Sequence, residues 1–177
     1  MTATLTSTGS TAAVIVTHQR AELLRASLEQ VVHQTHPVQW VVVVDNGAED
    51  AVRELVESMA GDRGVYVPSE TNLGGAGGFA LGFLTALSLG ADAVWCADDD
   101  GRPADHAVLA ELYRVAEANR LHEVSPAVCN IDDPGRLAFP LRQGLVWRRR
   151  MDELEGDFLP GIASLFNGAL ISAAAME

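Results

Sequence analysis

The chain of 177 residues carries 24 acidic and 12 basic side chains, and 48% of its residues are hydrophobic. This composition is typical of one globular domain with a sizeable core, and it excludes a disordered chain. The net charge of −12 argues against nucleic acid as the main partner, because phosphate backbones are bound by lysine and arginine. The two cysteines, Cys96 and Cys129, show no CxxC spacing and are predicted to be reduced thiols of a cytoplasmic protein.

Residues 1–11 are rich in threonine and serine and lack the basic start and apolar stretch of a signal peptide. We therefore expect them to form a disordered tail. Residues 12–177 are predicted to form one domain, and no apolar run in them reaches the length of a transmembrane helix.

Apolar runs of strand length alternate with stretches of helical periodicity in the first 120 residues. Strands are predicted at 12–17, 40–44, 64–67 and 92–97. Helices are predicted at 21–34, 49–59, 78–89 and 103–119. This alternation is typical of an α/β fold with a mostly parallel sheet and helices on both faces. After about residue 123, prolines and glycines interrupt short extended segments, which predicts an antiparallel or irregular extension of the sheet.

Three consecutive carboxylates, Asp98, Asp99 and Asp100, follow the fourth predicted strand. Open α/β sheets bind their ligands at the carboxyl ends of the strands. Adjacent like charges disfavour one another's ionisation unless a counter-charge is present. Carboxylate oxygens suit Mg²⁺, which is usually held by one or two carboxylates together with substrate phosphates. We interpret the triplet as a metal–diphosphate site, although taken alone it would also fit a solvated acidic turn.

The ends of the first two strands carry further candidates. Thr17 offers contacts to a nucleotide base, and Arg20 offers a planar fork for phosphate or ribose. Asp45 can accept the imide N–H of a uracil or bind a ribose hydroxyl, but it can equally cap the Asp-Asn-Gly turn in which it lies.

A glycine-rich stretch follows the third strand and begins at Asn72. Gly75, Gly77 and Ala80 fit the dinucleotide fingerprint GxGxxG/A, but the fingerprint requires a strand that leads directly into the first glycine, and a polar loop intervenes here. Small residues before a helix N-terminus still favour an anion; a flexible tight turn is the alternative. Since all four strand ends lie on one edge of the sheet, the sequence predicts a nucleotide-diphosphate site with a metal.

Two segments near the end of the chain are candidates for the acceptor side. Trp147 and Arg148, with two further arginines, fit a diphosphate or an anionic membrane surface, or else a hairpin with solvated arginines. Asn167 fits the floor of a sugar pocket, or else a simple turn.

Several segments resemble known glycosyltransferases. VIVTHQR at 14–20, VVDNG at 43–47, NLGGAGGF at 72–79 and the triplet at 98–100 resemble the inverting family 2 enzymes of GT-A fold. A closer resemblance is to mycobacterial-type galactofuranosyltransferases that start the galactan of arabinogalactan. The segments that carry it are ADDDGRP at 97–103, EVSPAVCNIDDP at 123–134, RLAFP at 136–140, GLVWRRR at 144–150 and LPGIASLFNGA at 159–169.

The resemblance implies a UDP-galactofuranose donor, Mg²⁺ or Mn²⁺, and an acceptor in which GlcNAc-rhamnose is linked to polyprenyl diphosphate. It also implies a cytoplasmic protein at the inner face of the plasma membrane. The implied roles are metal ligands at Asp98 and Asp100, ribose and sugar contacts at Asp98 and Asp99, the uracil contact at Asp45, the base pocket at Thr17 and Arg20, and the nucleotide border at Asn72 and Gly75.

The acidic motif that holds the general base in this family is not found after residue 166, so we expect the base beyond Glu177. This chain would then be a donor-binding part, and alone it would bind a UDP-sugar without transferring it. An alternative is an NDP-sugar nucleotidyltransferase, which would call for a lysine near the glycines, where none occurs. An oxidoreductase is disfavoured by the position of the glycine fingerprint.

Overall fold

A six-stranded sheet forms the centre of the computed structural model, which describes residues 4–156, 158–161 and 167–176. Its parallel strands are β1 (Thr11–Thr17), β2 (Trp40–Asp45), β3 (Gly64–Pro68) and β4 (Ala93–Asp98). Two short strands extend it, β5 (Glu123–Val124) and β8 (Leu170–Ser172), and the strand order is β3-β2-β1-β4-β8-β5. Because β8 runs antiparallel to both β4 and β5, the predicted antiparallel extension is present. Residues 162–166 of the LPGIASLFNGA segment lie outside the described part.

Helices cover both faces of the sheet, as the alternating pattern predicts. They are α1 (Ala21–Val32), α2 (Asp50–Ala60), α3 (Gly74–Ser88) and α4 (Val108–Asn119). The core on one face joins α1, α2 and α4, whereas the core on the other face is built on α3. β1 contributes Ile15 to the first core and Val14 to the second, because successive side chains of a strand point to opposite faces. None of the described helices is long and apolar enough to cross a membrane.

A separate two-stranded sheet precedes β8. Its strands, β6 (Arg136–Gln143) and β7 (Val146–Arg150), pair antiparallel through a turn at Gly144. Gly144 has φ of +62°, a conformation that side chains other than glycine rarely adopt.

The expected disordered tail is wrong for residues 4–11. Leu5 is buried in the core, and its N–H donates to the carbonyl oxygen of Leu121 at 2.9 Å. The Ser7 hydroxyl donates to the Glu117 carboxylate at 2.7 Å, and β1 already begins at Thr11. One buried apolar side chain and these hydrogen bonds thus fix a segment whose composition alone suggested disorder.

Two helix starts differ from the prediction. α4 begins at Val108 rather than near Pro103, and the side-chain oxygen of Gln34 accepts the N–H of Leu109 at 2.9 Å there. α3 begins at Gly74, so the glycine-rich stretch is part of the helix and not a loop before it.

Candidate nucleotide site

A pocket of about 260 Å³ opens at the carboxyl edge of the parallel strands. It collects most of the predicted donor-site side chains from three strand ends and the start of α3. Those that line it are Thr17, Arg20, Asn72, Gly75, Asp98 and Asp99. Val16, His18, Asn46 and Gly74 complete the lining. The parallel topology is therefore what brings residues 17 and 98 to the same place.

Arg20 holds two members of the Asp triplet. Its Nη1 lies 3.2 Å from Oδ1 of Asp99 and 3.0 Å from Oδ2 of Asp100. The Thr17 hydroxyl donates to Oδ2 of Asp99 at 2.9 Å, and both of these side chains are buried. The adjacent carboxylates, Asp99 first, raise the pKa of Arg20. Asp99 thus has partners on both of its oxygens and is a fixed anchor in the pocket wall.

Asp98 is the member of the triplet that forms no ion pair among the described residues, and the charge of Arg20 offsets only part of the rise in its pKa. Its backbone carbonyl accepts the Ser27 hydroxyl at 3.2 Å, which fixes the strand end. Burial, followed by the nearby charges of Asp100 and Asp99, raises the pKa of the Asp98 carboxyl. One guanidinium against three carboxylates leaves an excess of negative charge that a cation would neutralise.

A hard divalent cation fits this donor set, because carboxylate oxygens and phosphates are its preferred ligands. The described residues contain no cluster of three or more His, Cys, Asp or Glu side chains arranged to hold a metal by themselves. Any metal here would therefore be shared between the Asp triplet and the phosphates of a ligand.

Asp45 does not line the pocket, and its predicted uracil contact is not supported. The side chain is fully buried, and its two oxygens accept the N–H groups of Gly47 at 2.9 Å and Glu49 at 2.7 Å. The Tyr66 hydroxyl donates to Oδ2 at 3.0 Å, and burial together with this hydrogen bond raises the pKa of Tyr66 to about 12. Asp45 instead caps the turn that leads into α2, which is the alternative function of an Asp-Asn-Gly turn.

Asn46, the next residue, is the one that faces the pocket. Its amide Nδ2 donates to the Gly74 carbonyl, and its Oδ1 accepts the Leu73 N–H, both at 3.3 Å. It thereby joins the end of β2 to the start of α3. The sequence analysis singled out the carboxylate of Asp45 and missed the amide of Asn46. The signal available was the position of Asn46, one residue past the end of β2.

The glycine-rich stretch divides into two functional parts. Gly74 and Gly75 line the pocket, where a Cβ would meet no neighbouring atom within 4 Å. Gly78 and Gly82 instead face the sheet. A Cβ on Gly78 would lie 2.5 Å from a methyl group of Val16, and one on Gly82 would overlap Val14. The second pair allows α3 to lie close against β1, and that contact places the helix N-terminus at the pocket.

The structure separates the three residues proposed for the acceptor side. Asn167 lies beside Gly101, the residue that follows the Asp triplet. A Cβ added to Gly101 would overlap the side-chain oxygen of Asn167. Trp147 and Arg148 lie on β7 and do not line the pocket. Trp147 is 61% exposed.

Solved structures share this arrangement of sheet and helices. A mannosyltransferase from Pyrobaculum calidifontis, in complex with GDP-Man and Mn²⁺, matches with a TM-score of 0.57 at 22% identity, covering 74% of this chain and 39% of that one. The S. aureus protein TarS matches with a TM-score of 0.62 at 17% identity, covering 76% of this chain and 24% of that one. The chain thus has the GT-A fold, a mixed α/β architecture with a mostly parallel sheet.

The sequence comparison narrows the class. The family described as "Glycosyl transferase family 2" matches residues 12–170, and the chain belongs to this family. Galactofuranosyltransferase GlfT1 of Mycolicibacterium smegmatis is 57% identical over 176 residues, covering 96% of this chain and 58% of the relative. The protein of that name from Mycobacterium tuberculosis is 56% identical over 175 residues, covering 96% of this chain and 57% of the relative. The chain thus spans somewhat more than half the length of these relatives.

Proposed function

We propose that this chain is the donor-binding part of an inverting, metal-dependent galactofuranosyltransferase. The donor would be UDP-galactofuranose, and the acceptor a GlcNAc-rhamnose saccharide linked to polyprenyl diphosphate, met at the inner face of the plasma membrane. The identity to proteins named galactofuranosyltransferase supports the donor. The observation that carries the proposal is the pocket in which Asp98 and Asp99 face Thr17 and Arg20.

Each pocket residue has a proposed role that follows from its position. Thr17, Arg20 and Asn72 line the nucleotide, with Asn46 at the point where β2 meets α3. The backbone N–H groups at Gly74 and Gly75 begin a helix, whose N-terminus favours the negative charge of a diphosphate. Asp99, fixed by Thr17 and Arg20, orients the ribose or the sugar.

Asp98 and Asp100 are the proposed metal-side carboxylates. When bound, Mg²⁺ or Mn²⁺ would supply positive charge to the UDP leaving group. Because Asp98 forms no ion pair among the described residues and has a raised pKa, binding of a cation would favour its ionised form. Asp100 does not line the pocket itself, but Arg20, which does, holds it through a 3.0 Å contact to Oδ2 and leaves the other carboxylate oxygen available.

The transfer itself calls for a base that takes the proton of the acceptor hydroxyl as that hydroxyl attacks the sugar carbon. A single displacement of this kind inverts the configuration at that carbon. We propose no carboxylate of this chain for that role and place the base in sequence beyond Glu177. Asn167, beside Gly101, is the proposed contact on the sugar side, and Trp147 and Arg148 are proposed to serve the acceptor.

Calorimetric titration of UDP, with and without Mn²⁺, tests the donor site. We expect Mn²⁺ to strengthen UDP binding and the double variant Asp98→Ala/Asp100→Ala to lose that effect. A matched control, Asp50→Ala/Asp62→Ala, removes the same charge from exposed positions of α2 and the turn after it and should titrate like the parent chain. Equal UDP binding with and without Mn²⁺, or equal losses in both double variants, would refute the metal–diphosphate site.

Donor and acceptor are tested with the full-length protein. UDP-galactofuranose should compete with UDP more strongly than UDP-galactopyranose does, and label should pass from it to the lipid-linked saccharide. Transfer from the pyranose donor at the same rate would contradict the donor assignment while leaving the UDP site intact.

A further inference from the structure

The β6–β7 hairpin, residues 136–150, differs in charge from the rest of the chain. It holds five of the 12 basic side chains and no aspartate or glutamate, although the whole chain carries −12. It also carries three of the most exposed apolar side chains among the described residues. These are Leu145 at 90%, Trp147 at 61% and Val146 at 51% exposed.

The strand register divides the hairpin into two faces. Arg142 pairs with Trp147, so these two side chains share a face, and Arg149 joins them because alternate residues of a strand point the same way. All three are exposed. On the opposite face Leu141 pairs with Arg148, and both are only partly exposed.

Among the residues that the structure describes, the ion pairs of the hairpin lie on one side of it. Arg148 approaches Glu155 at 3.7 Å, and Arg150 approaches Asp133 at 3.7 Å and Asp152 at 3.4 Å. Arg142 and Arg149 form no ion pair with another described residue, and the Nε of Arg142 donates to the Gly144 carbonyl at the turn. The face that carries Trp147 thus has two positive charges that form no ion pair with the described part of the chain.

We propose that this face, defined by Arg142, Leu145, Trp147 and Arg149, docks on the surface of an anionic phospholipid bilayer. Leu145 and Trp147 would enter the headgroup layer, where aromatic rings and short apolar segments are favoured. Arg142 and Arg149 would lie against the lipid phosphates, with their aliphatic stems along the apolar residues. Because Leu145 stands at a tight turn fixed by Gly144, it can enter the layer without unfolding the strands.

The charge of the whole chain limits this contact to one surface. A net charge of −12 repels an anionic bilayer, so the positive hairpin determines which side of the molecule can approach. The inference rests on the proposed function in placing the molecule at the plasma membrane, and it adds the surface by which the molecule meets lipid.

Co-sedimentation with vesicles of phosphatidylglycerol and phosphatidylcholine tests the proposal. The parent chain should bind these vesicles and not vesicles of phosphatidylcholine alone. Each arginine near the surface contributes roughly fivefold to the partition coefficient, so Arg142→Gln/Arg149→Gln should lower it ~25-fold. Arg25→Gln/Arg53→Gln removes the same charge from α1 and α2 and should not lower it.

The apolar part of the contact is tested by Leu145→Ser against Leu84→Ser, since Leu84 is 67% exposed on α3. Only Leu145→Ser should weaken binding. Brominated lipid should quench the emission of Trp147. Trp147→Phe should abolish that quenching, because Trp95 is buried and Trp40 is partly buried against the core of the sheet.

Three results would overturn the proposed docking surface. The first is no vesicle binding by a chain whose cooperative unfolding shows that it is folded. The others are equal binding to both vesicle types and an equal loss of binding in the hairpin and control variants. The last result would indicate that another surface, or another partner for the hairpin, is involved. UDP titration of Arg142→Gln/Arg149→Gln should be unchanged, so that failure at the membrane and failure at the nucleotide site give different results.

Discussion

The close packing of α3 on the sheet predicts opposite effects for one substitution at two positions of the same helix. In Gly82→Ala the new methyl group would overlap Cγ1 of Val14 and lie 3.3 Å from Cγ2 of Val44. Overpacking of this kind costs about 1–3 kcal/mol, and the better helix propensity of alanine returns about 1 kcal/mol. In Gly75→Ala the methyl group meets nothing within 4 Å, so only the gain of up to about 1 kcal/mol remains.

Thermal and urea unfolding followed by circular dichroism measure the difference. For a chain of this size 1 kcal/mol corresponds to roughly 2–4 °C in Tm. We therefore expect Gly82→Ala to lower Tm by up to about 8 °C and Gly75→Ala to raise it by up to about 4 °C. If Gly82→Ala unfolds at or above the temperature of Gly75→Ala, α3 does not lie as close to β1 as described, and the argument for its position at the pocket fails.

Two further predictions concern titratable groups. Because the pKa of Asp98 is raised in the folded chain, the stability that its protonated form provides is lost as pH rises through that pKa. Asp98→Asn should therefore raise the free energy of unfolding at neutral pH in metal-free buffer, with no gain below the ordinary value of 3.8; unchanged stability at pH 7 would contradict this. Burial raises the pKa of the Cys96 thiol to about 12 and also raises that of Cys129, but only Cys129 is partly exposed. A thiol reagent should label Cys129 in the native chain and both cysteines in denaturant, whereas rapid native labelling of Cys96 would refute its burial.

The sheet could be predicted from the sequence because its signals are local. The run of valines at 41–44 and the apolar residues before Asp98 are long enough to indicate buried strands. Parallel topology then places their ends on one edge, which is why most of the expected donor-site residues line one pocket.

The sequence could not show which polar groups are already hydrogen-bonded within the chain. Asp45 is chemically able to bind a base. Its oxygens, however, already accept hydrogen bonds from the N–H groups of Gly47 and Glu49 and from the hydroxyl of Tyr66, which lies further along the sequence. Leu5 shows the same limit, because its backbone N–H is bonded to Leu121, more than a hundred residues along the chain. Contacts at such separation leave no local periodicity that a reader of the sequence could detect.

The position of β8 has a consequence for the order in which the molecule folds. The parallel strands β1 to β4 are contained in the first hundred residues and need nothing later in the chain in order to pair. β8 joins β4 only after residues 170–172 are available, and it must be present before β5 can pair. Pairing across such a separation is slow, because loop closure precedes the contacts that reward it. We therefore expect the Asp triplet to be in place before Asn167 reaches Gly101.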